Sequence, residues 1–226
     1  MDATNNLYFL ETKPLTLEAA CAVESALRLC PDKSVFIMNL GPGTSTEGAF
    51  EQKLKSEYTN LHTIKTDGSR YLAGSPFEGR WSTSGSEASL AAEILTVWQF
   101  GGGVISDNLI LHSRRVFDSN DGYCEVDRQL LFCPVQCAAF AYDMLEAALK
   151  WKGSTDEEIV SRAVANFCGG GEKFVDSGCA GVHRLKSSSM CDTVASHCTF
   201  IRIAQLKAKN PDWQKLLKEH CPIILK

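Results

Sequence analysis

Two apolar runs bracket a helix at the start of the chain, and they restrict the fold more than any other feature. "NLYFLET" (6–12) is a short apolar run of strand type. Thr16 stands before "LEAACAVESALRLC" (17–30), where Leu17, Ala20, Cys21, Glu24 and Leu27 fall at helical spacing. Pro31 follows as a stop. "SVFIMNL" (34–40) is a second strand, almost wholly apolar. Such a strand has no face to show to water, so it belongs inside a sheet covered on both sides. Strand, helix, strand of this kind is a βαβ unit and implies a parallel sheet.

The rest of the chain continues the alternation. "AFEQKLKSEY" (49–58) is an amphipathic helix and "NLHTI" (60–64) a third strand. Residues 65–85 are polar and rich in Gly and Ser apart from "YLAGSPF", and are expected to form a long loop. In "SEASLAAEILTVWQF" (86–100), Leu90, Ile94, Val97 and Trp98 share one helical face, and Gly101 ends the helix. "GVISDNLIL" (103–111) follows as a strand with a polar break. A further strand is expected near 127–133, with helices over 135–152 and 156–168. "AGVHRL" is a late strand, and "DWQKLLKEHC" a C-terminal helix. The prediction is a single α/β domain over residues 1–226, with a mostly parallel central sheet flanked by helices, behind a disordered start at 1–5.

Composition removes several alternatives. The chain has 226 residues, 44% hydrophobic, with a net charge of −4. No cluster of Lys and Arg exceeds two or three residues, which argues against nucleic acid and anionic membrane surfaces as partners. No stretch approaches the ~18 apolar residues a membrane span needs. "MDATNNLYFLET" lacks the basic and apolar regions of a signal peptide.

Ten cysteines is a high number. None forms a CxxC pair and the histidines are scattered, which disfavours both zinc clusters and thiol-redox chemistry. The cysteines are either buried thiols acting as small apolar residues or disulfides of an oxidising compartment. The count alone leaves both open, and no Asn-X-Ser/Thr sequon helps to decide.

The polar triplet Ser106-Asp107-Asn108 lies after "GGGVI". In open α/β sheets, ligands bind beyond the carboxyl ends of strands. Oxygen ligands there suit Mg²⁺ or Mn²⁺ bridging a nucleotide diphosphate. Asp107 offers a carboxylate, Asn108 a carbonyl oxygen and Ser106 a hydroxyl. The alternative is an Asp-Asn turn whose side chains bond local backbone.

Taken together, ordered segments of the chain resemble the α-1,4-glycosyltransferases of the lactosylceramide 4-α-galactosyltransferase and α-1,4-N-acetylglucosaminyltransferase type. The segments are "YFLET" (8–12), "ACAVESALR" (20–28), "YLAGSPFEG" (71–79), "WQFGGGVISDNLIL" (98–111), "CGGGEKFVDSGCAGVHRL" (168–185), "VASHC" (194–198) and "LLKEHCP" (216–222). The resemblance implies a GT-A-like nucleotide-sugar-binding fold. It also implies retaining transfer of galactose or N-acetylglucosamine from a UDP-sugar, aided by Mn²⁺, to a glycolipid or glycan acceptor in the Golgi lumen. An N-terminal anchor and stem are not expected in this chain, which opens directly into its first strand.

By that resemblance the donor lies against Phe9, Leu10, Glu11, Thr12, Ser89, Ser106, Asp107 and Asn108, and the metal against Asp107, Asn108 and His197. The Asp-X-Asp motif is altered: Ser106 and Asn108 stand where the family has its two carboxylates, and Asp107 holds the middle position. Leu90 and Glu93 replace the aspartate and arginine that help to hold the donor sugar. Turnover is therefore set against a non-catalytic binding or scaffold role. Cys21, Cys168, Cys179 and Cys221 fall where the family has cysteines. Cys168 and Cys179 stand eleven positions apart and form an expected disulfide worth roughly 3 kcal/mol in the chain-entropy model.

Overall fold

The computed structural model describes residues 6–42, 47–81, 86–118, 122–150, 153–170, 174–185, 189–192 and 198–226, with backbone alone for 86–88. The disordered start expected at 1–5 lies outside the described residues. The elements follow in chain order: β1 (Asn6–Glu11), α1 (Leu17–Leu29), β2 (Ser34–Asn39), α2 (Ala49–Glu57), β3 (Leu61–Lys65), α3 (Gly68–Leu72), α4 (Ser86–Phe100), β4 (Gly102–Ile105) and β5 (Leu109–Leu111). Then come β6 (Cys124–Asp127), β7 (Leu130–Cys133), α5 (Ala139–Lys150), α6 (Asp156–Phe167), β8 (Gly178–Cys179), β9 (Val182–Arg184), β10 (Met190–Cys191), β11 (Phe200–Arg202), α7 (Ile203–Lys209) and α8 (Trp213–His220).

Eight strands form a central sheet in the order β3-β2-β1-β4-β7-β6-β9-β8, mostly parallel, and a small second sheet runs β10-β11-β5. The pairings β3-β2-β1-β4 are all parallel, as the βαβ reading requires. β7 runs antiparallel to β4 and β6, and β8 antiparallel to β9, while β6 and β9 keep the direction of the parallel set. Alternation along β1 sends Leu7 and Phe9 to one face and Tyr8 to the other, and each face carries its own core. One core holds α1, β5, β11 and the C-terminal helices; the other holds α4, α5 and α6. Each fully buried Leu or Phe contributes about 1.5–3 kcal/mol.

Helix α1 is buried without interruption from Ala19 to Leu27, because it lies between the central sheet, β5 and α8. Small residues make that possible: four of those nine positions are alanine. Thr16 caps it, its side chain accepting from the Ala19 N–H at 3.1 Å. Ser25 Oγ ties it to the second sheet by accepting the Leu111 N–H at 2.9 Å.

Three expectations need correction. The stretch 65–85 is not all loop, since α3 forms there. Asp67 accepts the N–H groups of Ser69 and Arg70, and Leu72 is fully buried, which outweighs weak local helix formers. The run 103–111 is not one strand: β4 and β5 belong to different sheets, and the polar triplet is the corner between them. The helix expected from 135 begins only at Ala139, because Cys137 takes a positive φ of 54° and its N–H bonds the Trp98 carbonyl at the end of α4.

Glycines shape the entry to β4. Gly101 has φ 66° and closes α4. Gly103 lies between Phe132 and Leu7, where an added Cβ would come within 3.1 Å of the Phe132 ring.

All ten cysteines are described. Eight pair as Cys21–Cys221, Cys124–Cys133, Cys168–Cys179 and Cys191–Cys198, leaving Cys30 buried and Cys137 exposed as thiols. This settles the open choice in favour of disulfides. It includes the expected Cys168–Cys179 bridge, and it joins Cys21 to Cys221.

Candidate functional site at the carboxyl rim of the sheet

The strand order reverses at β1: the chain runs from β1 outward to β2 and β3, then returns to β4 on the other side. The crevice between the carboxyl ends of β1 and β4 is thus the switch point of the sheet. Glu11 ends β1, and Ser106-Asp107-Asn108 follows β4 directly. Helix α4 runs back from this rim, so its first turns lie beside the triplet.

The triplet is a tight corner. The Leu109 N–H bonds the Ser106 carbonyl at 3.1 Å, and the Ser106 N–H bonds the Gln129 carbonyl at 2.9 Å. Ser106 Oγ donates to Asn108 Oδ1 at 3.1 Å, and Gln129 Nε2 donates to the same oxygen at 2.8 Å. Arg202 Nε in turn donates to Gln129 Oε1 at 3.3 Å. The Asn108 carbonyl also accepts the Ile203 N–H at 3.1 Å, which locks the second sheet to the corner. The Asp-Asn turn exists, and it stands at the switch point.

Asp107 supplies the triplet's carboxylate, which takes hydrogen bonds from its own backbone and from Ser106. It is solvent-exposed, but the surrounding protein mass and the charge of Glu18 hold its carboxyl above the usual range. Glu11 is more strongly affected. Burial first, then the Asp107 charge, pushes it up to about 8. Its Oε1 is buried and has no hydrogen-bond partner among the described residues. On α4, burial raises Glu93 to about 7, with Asp156 and Asp107 adding to the effect and Ser89 Oγ, at 3.2 Å, opposing it. At neutral pH Glu11 is therefore mainly a neutral acid able to donate a hydrogen bond, and the rim carries less negative charge than its composition suggests.

The other sequence-selected residues divide clearly. Thr12 is exposed just beyond Glu11 and Leu10 is half-buried, whereas Phe9 is fully buried in the core. Ser89 is exposed on α4. His197 lies outside the described residues. Glu24, an unassigned charge on α1, belongs to the core away from this rim: its carboxylate accepts Tyr58 Oη at 3.0 Å and the N–H groups of Ile223 and Ile224 at 2.8 and 2.9 Å.

The described residues of the triplet do not by themselves make a Mn²⁺ site, and His197, the third expected ligand, lies outside them. Among the described residues no three Asp, Glu, His or Cys side chains come together to hold a metal. The Asn108 carbonyl oxygen already accepts two hydrogen bonds, its full complement. Asp107 is left as a single carboxylate, too few for a hard cation that prefers several oxygen ligands.

Sequence reasoning missed Gln129 and Arg202 as the residues that organise the corner. Gln129 follows β6 and Arg202 ends β11, and only the folded sheet order brings them to Asn108. Glu11 is among the residues that the sequence selects, but nothing in the sequence marks its carboxyl as buried and unpartnered.

No protein-family model matches the chain, and no curated protein matches it. Solved structures do. A glycosyltransferase described as PaToxG superposes with a TM-score of 0.56 at 11% identity, covering 96% of this chain and 78% of that one. A transferase mutant matches at TM-score 0.46 and 14% identity, over 74% of this chain and 86% of that one. Galactosyltransferase LgtC, in complex with donor and acceptor sugar analogues, matches at TM-score 0.40 and 12% identity, over 94% and 82%. The PaToxG superposition carries the fold, an α/β architecture of the GT-A type with a central sheet and flanking helices. No helix among the described residues is long and apolar enough to cross a membrane.

Proposed function

We propose that the protein binds a UDP-sugar at the carboxyl rim and belongs to glycosyltransferase chemistry, with galactose or N-acetylglucosamine transferred in α-1,4 linkage to a glycolipid or glycan. The observation that carries this reading is the position of Glu11 and Ser106-Asp107-Asn108 on either side of the switch point. The sequence resemblance and the fold likeness support it independently.

The residues present suggest how the diphosphate is accommodated. Protonated Glu11 donates a hydrogen bond instead of repelling the phosphates. Asp107 is the group that meets hydroxyls or water at the mouth of the crevice. Mn²⁺ and a Golgi location come from the resemblance alone, and no step is assigned to the metal.

A second reading, a binding or scaffold protein without turnover, is favoured by the engaged Asn108 oxygen and by Ser106 and Asn108 standing where carboxylates would. One experiment separates the two. UDP-galactose and UDP-N-acetylglucosamine are titrated calorimetrically with and without Mn²⁺, and UDP release is followed with lactosylceramide as acceptor. Binding with release exceeding that of Asp107→Ala supports transfer. Little or no Mn²⁺-dependent binding, without release, supports the second reading, and no binding of either nucleotide sugar overturns the first.

A further inference from the structure

A second cavity of about 350 Å³ opens on the same rim, beyond the β6–β7 hairpin. Its walls carry Arg128, Arg184 and Arg202, interleaved with Asp127, Glu157 and Asp176. The strand arrangement explains why these residues meet. β6 and β9 run parallel, so Asp127, Arg128 and Arg184 leave the sheet at one end. That end also faces the end of β4, because Leu130 pairs with Ile105. Arg202 arrives from β11 opposite Leu109, and Glu157 from the first turn of α6.

Arg184 makes this more than a charged surface. Its side chain is only 8% exposed and pairs with Glu157 through Nη2. Its Nη1 is buried with no hydrogen-bond partner among the described residues. A buried cationic donor without an acceptor is costly, and an oxyanion is the group that fits a guanidinium fork. Arg128 is exposed at the mouth, with no ion-pair partner among the described residues. Arg202 is held in place by Gln129.

The opposing carboxylates restrict what kind of anion can enter. Three arginines against three carboxylates leave the lining close to neutral, which disfavours a ligand of high charge. A ligand bearing one oxyanion and several hydroxyls satisfies both sets: the anion meets the arginines, and the hydroxyls donate to Asp127 and Asp176. The volume is at the small end of the ~300–1,000 Å³ range of ligand pockets, suited to a single sugar unit.

We propose that this cavity binds an acidic saccharide, its carboxylate or phosphate group held by Arg184 and Arg128. Its place beside the donor crevice makes it the acceptor side of the site; that assignment of role rests on the reading of function above, whereas saccharide binding itself does not.

The test uses the full chain without nucleotide or metal. Glucuronic acid, glucose 6-phosphate, neutral glucose and inorganic phosphate are titrated and followed by NMR. Glucuronic acid or glucose 6-phosphate is expected to bind at least about tenfold more tightly than glucose, and the stronger of the two identifies the oxyanion. Arg128→Ala is expected to weaken that binding about tenfold with an unchanged Tm, as its side chain is exposed. Three results would overturn the proposal: no preference over glucose, inorganic phosphate binding as tightly as glucose 6-phosphate, or an Arg128→Ala protein that binds normally. UDP binding measured in parallel keeps the two readings apart. Saccharide binding without UDP binding removes the donor reading only, and the reverse removes this one only.

Discussion

Glu24 Oε1 accepts the backbone N–H of Ile223 at 2.8 Å, across 199 positions of sequence. Around that bond the first helix and the last residues are joined several times over. Glu24 Oε2 takes the Ile224 N–H, Arg28 donates to the carbonyls of Glu219 and His220, and Cys21 is bonded to Cys221.

The Glu24 carboxylate is fully buried, so its loss leaves amide donors without partners. Glu24→Gln is expected to lower stability by about 2–3 kcal/mol, which for a chain of this size shifts Tm by roughly 5–10 °C. Thermal unfolding followed by circular dichroism measures it. A shift below about 2 °C would show that the latch is redundant with the disulfide.

Peptide mapping without reduction is expected to return four linked pairs and two thiols. Alkylation should label exposed Cys137 quickly and buried Cys30 only on unfolding, since burial pushes the Cys30 thiol up to about 11. The Cys21–Cys221 bridge spans 200 positions, so the Cys21→Ala/Cys221→Ala double variant is expected to lose up to about 5 kcal/mol in the chain-entropy model.

Restoring the two motif carboxylates tests the corner directly. In Ser106→Asp/Asn108→Asp, Mn²⁺ should tighten UDP binding by at least about tenfold. In the natural chain the same addition should change it by less than about threefold. Calorimetric titration gives both numbers, and an equal Mn²⁺ effect in the two proteins would mean that the cation is held elsewhere.

Glu11 predicts a pH dependence. Its carboxyl lies near 8 in the fold against an ordinary value of 4.5, so the folded state holds a proton that the unfolded chain gives up. The Glu11 contribution to stability therefore falls as pH rises from about 4.5 to about 8 and levels off above that, whereas His220, held down to about 4 by burial, acts the other way between about 4 and 6.5. Glu93, raised to about 7, acts in the same direction as Glu11. Glu11→Gln should flatten this slope and raise stability at pH 8 by on the order of 2 kcal/mol, allowing for solvent screening. Denaturant titrations at pH 5 and pH 8 provide the comparison, and parallel slopes in both proteins would refute the assignment.

The elements of the parallel half were legible because each carries its own signal. β2 is apolar on both faces, Thr16 and Pro31 bracket α1, and Gly101 closes α4. The corner at Ser106 was legible as a break but not as a change of sheet, because the partner of β5 is β11, about ninety residues further on. A similar distance hid Arg202, while Gln129, twenty-one positions from Asn108, meets it only through the β6–β7 turn. Among the cysteines, Cys168–Cys179 was readable through a resemblance. Cys124–Cys133 depends on a hairpin register, and Cys191–Cys198 on the pairing of β10 with β11, neither of which spacing reveals.

The joining of α1 to the C-terminal segment also sets an order of events during synthesis. Helix α1 leaves the ribosome about two hundred residues before the amides that satisfy Glu24. Until Ile223 and Ile224 have emerged, a carboxylate destined for the interior lacks the partners that make burial favourable. Closure of that core therefore waits on them. A chain interrupted before Ile223 would keep the apolar face of α1 exposed, open to chaperones and proteases.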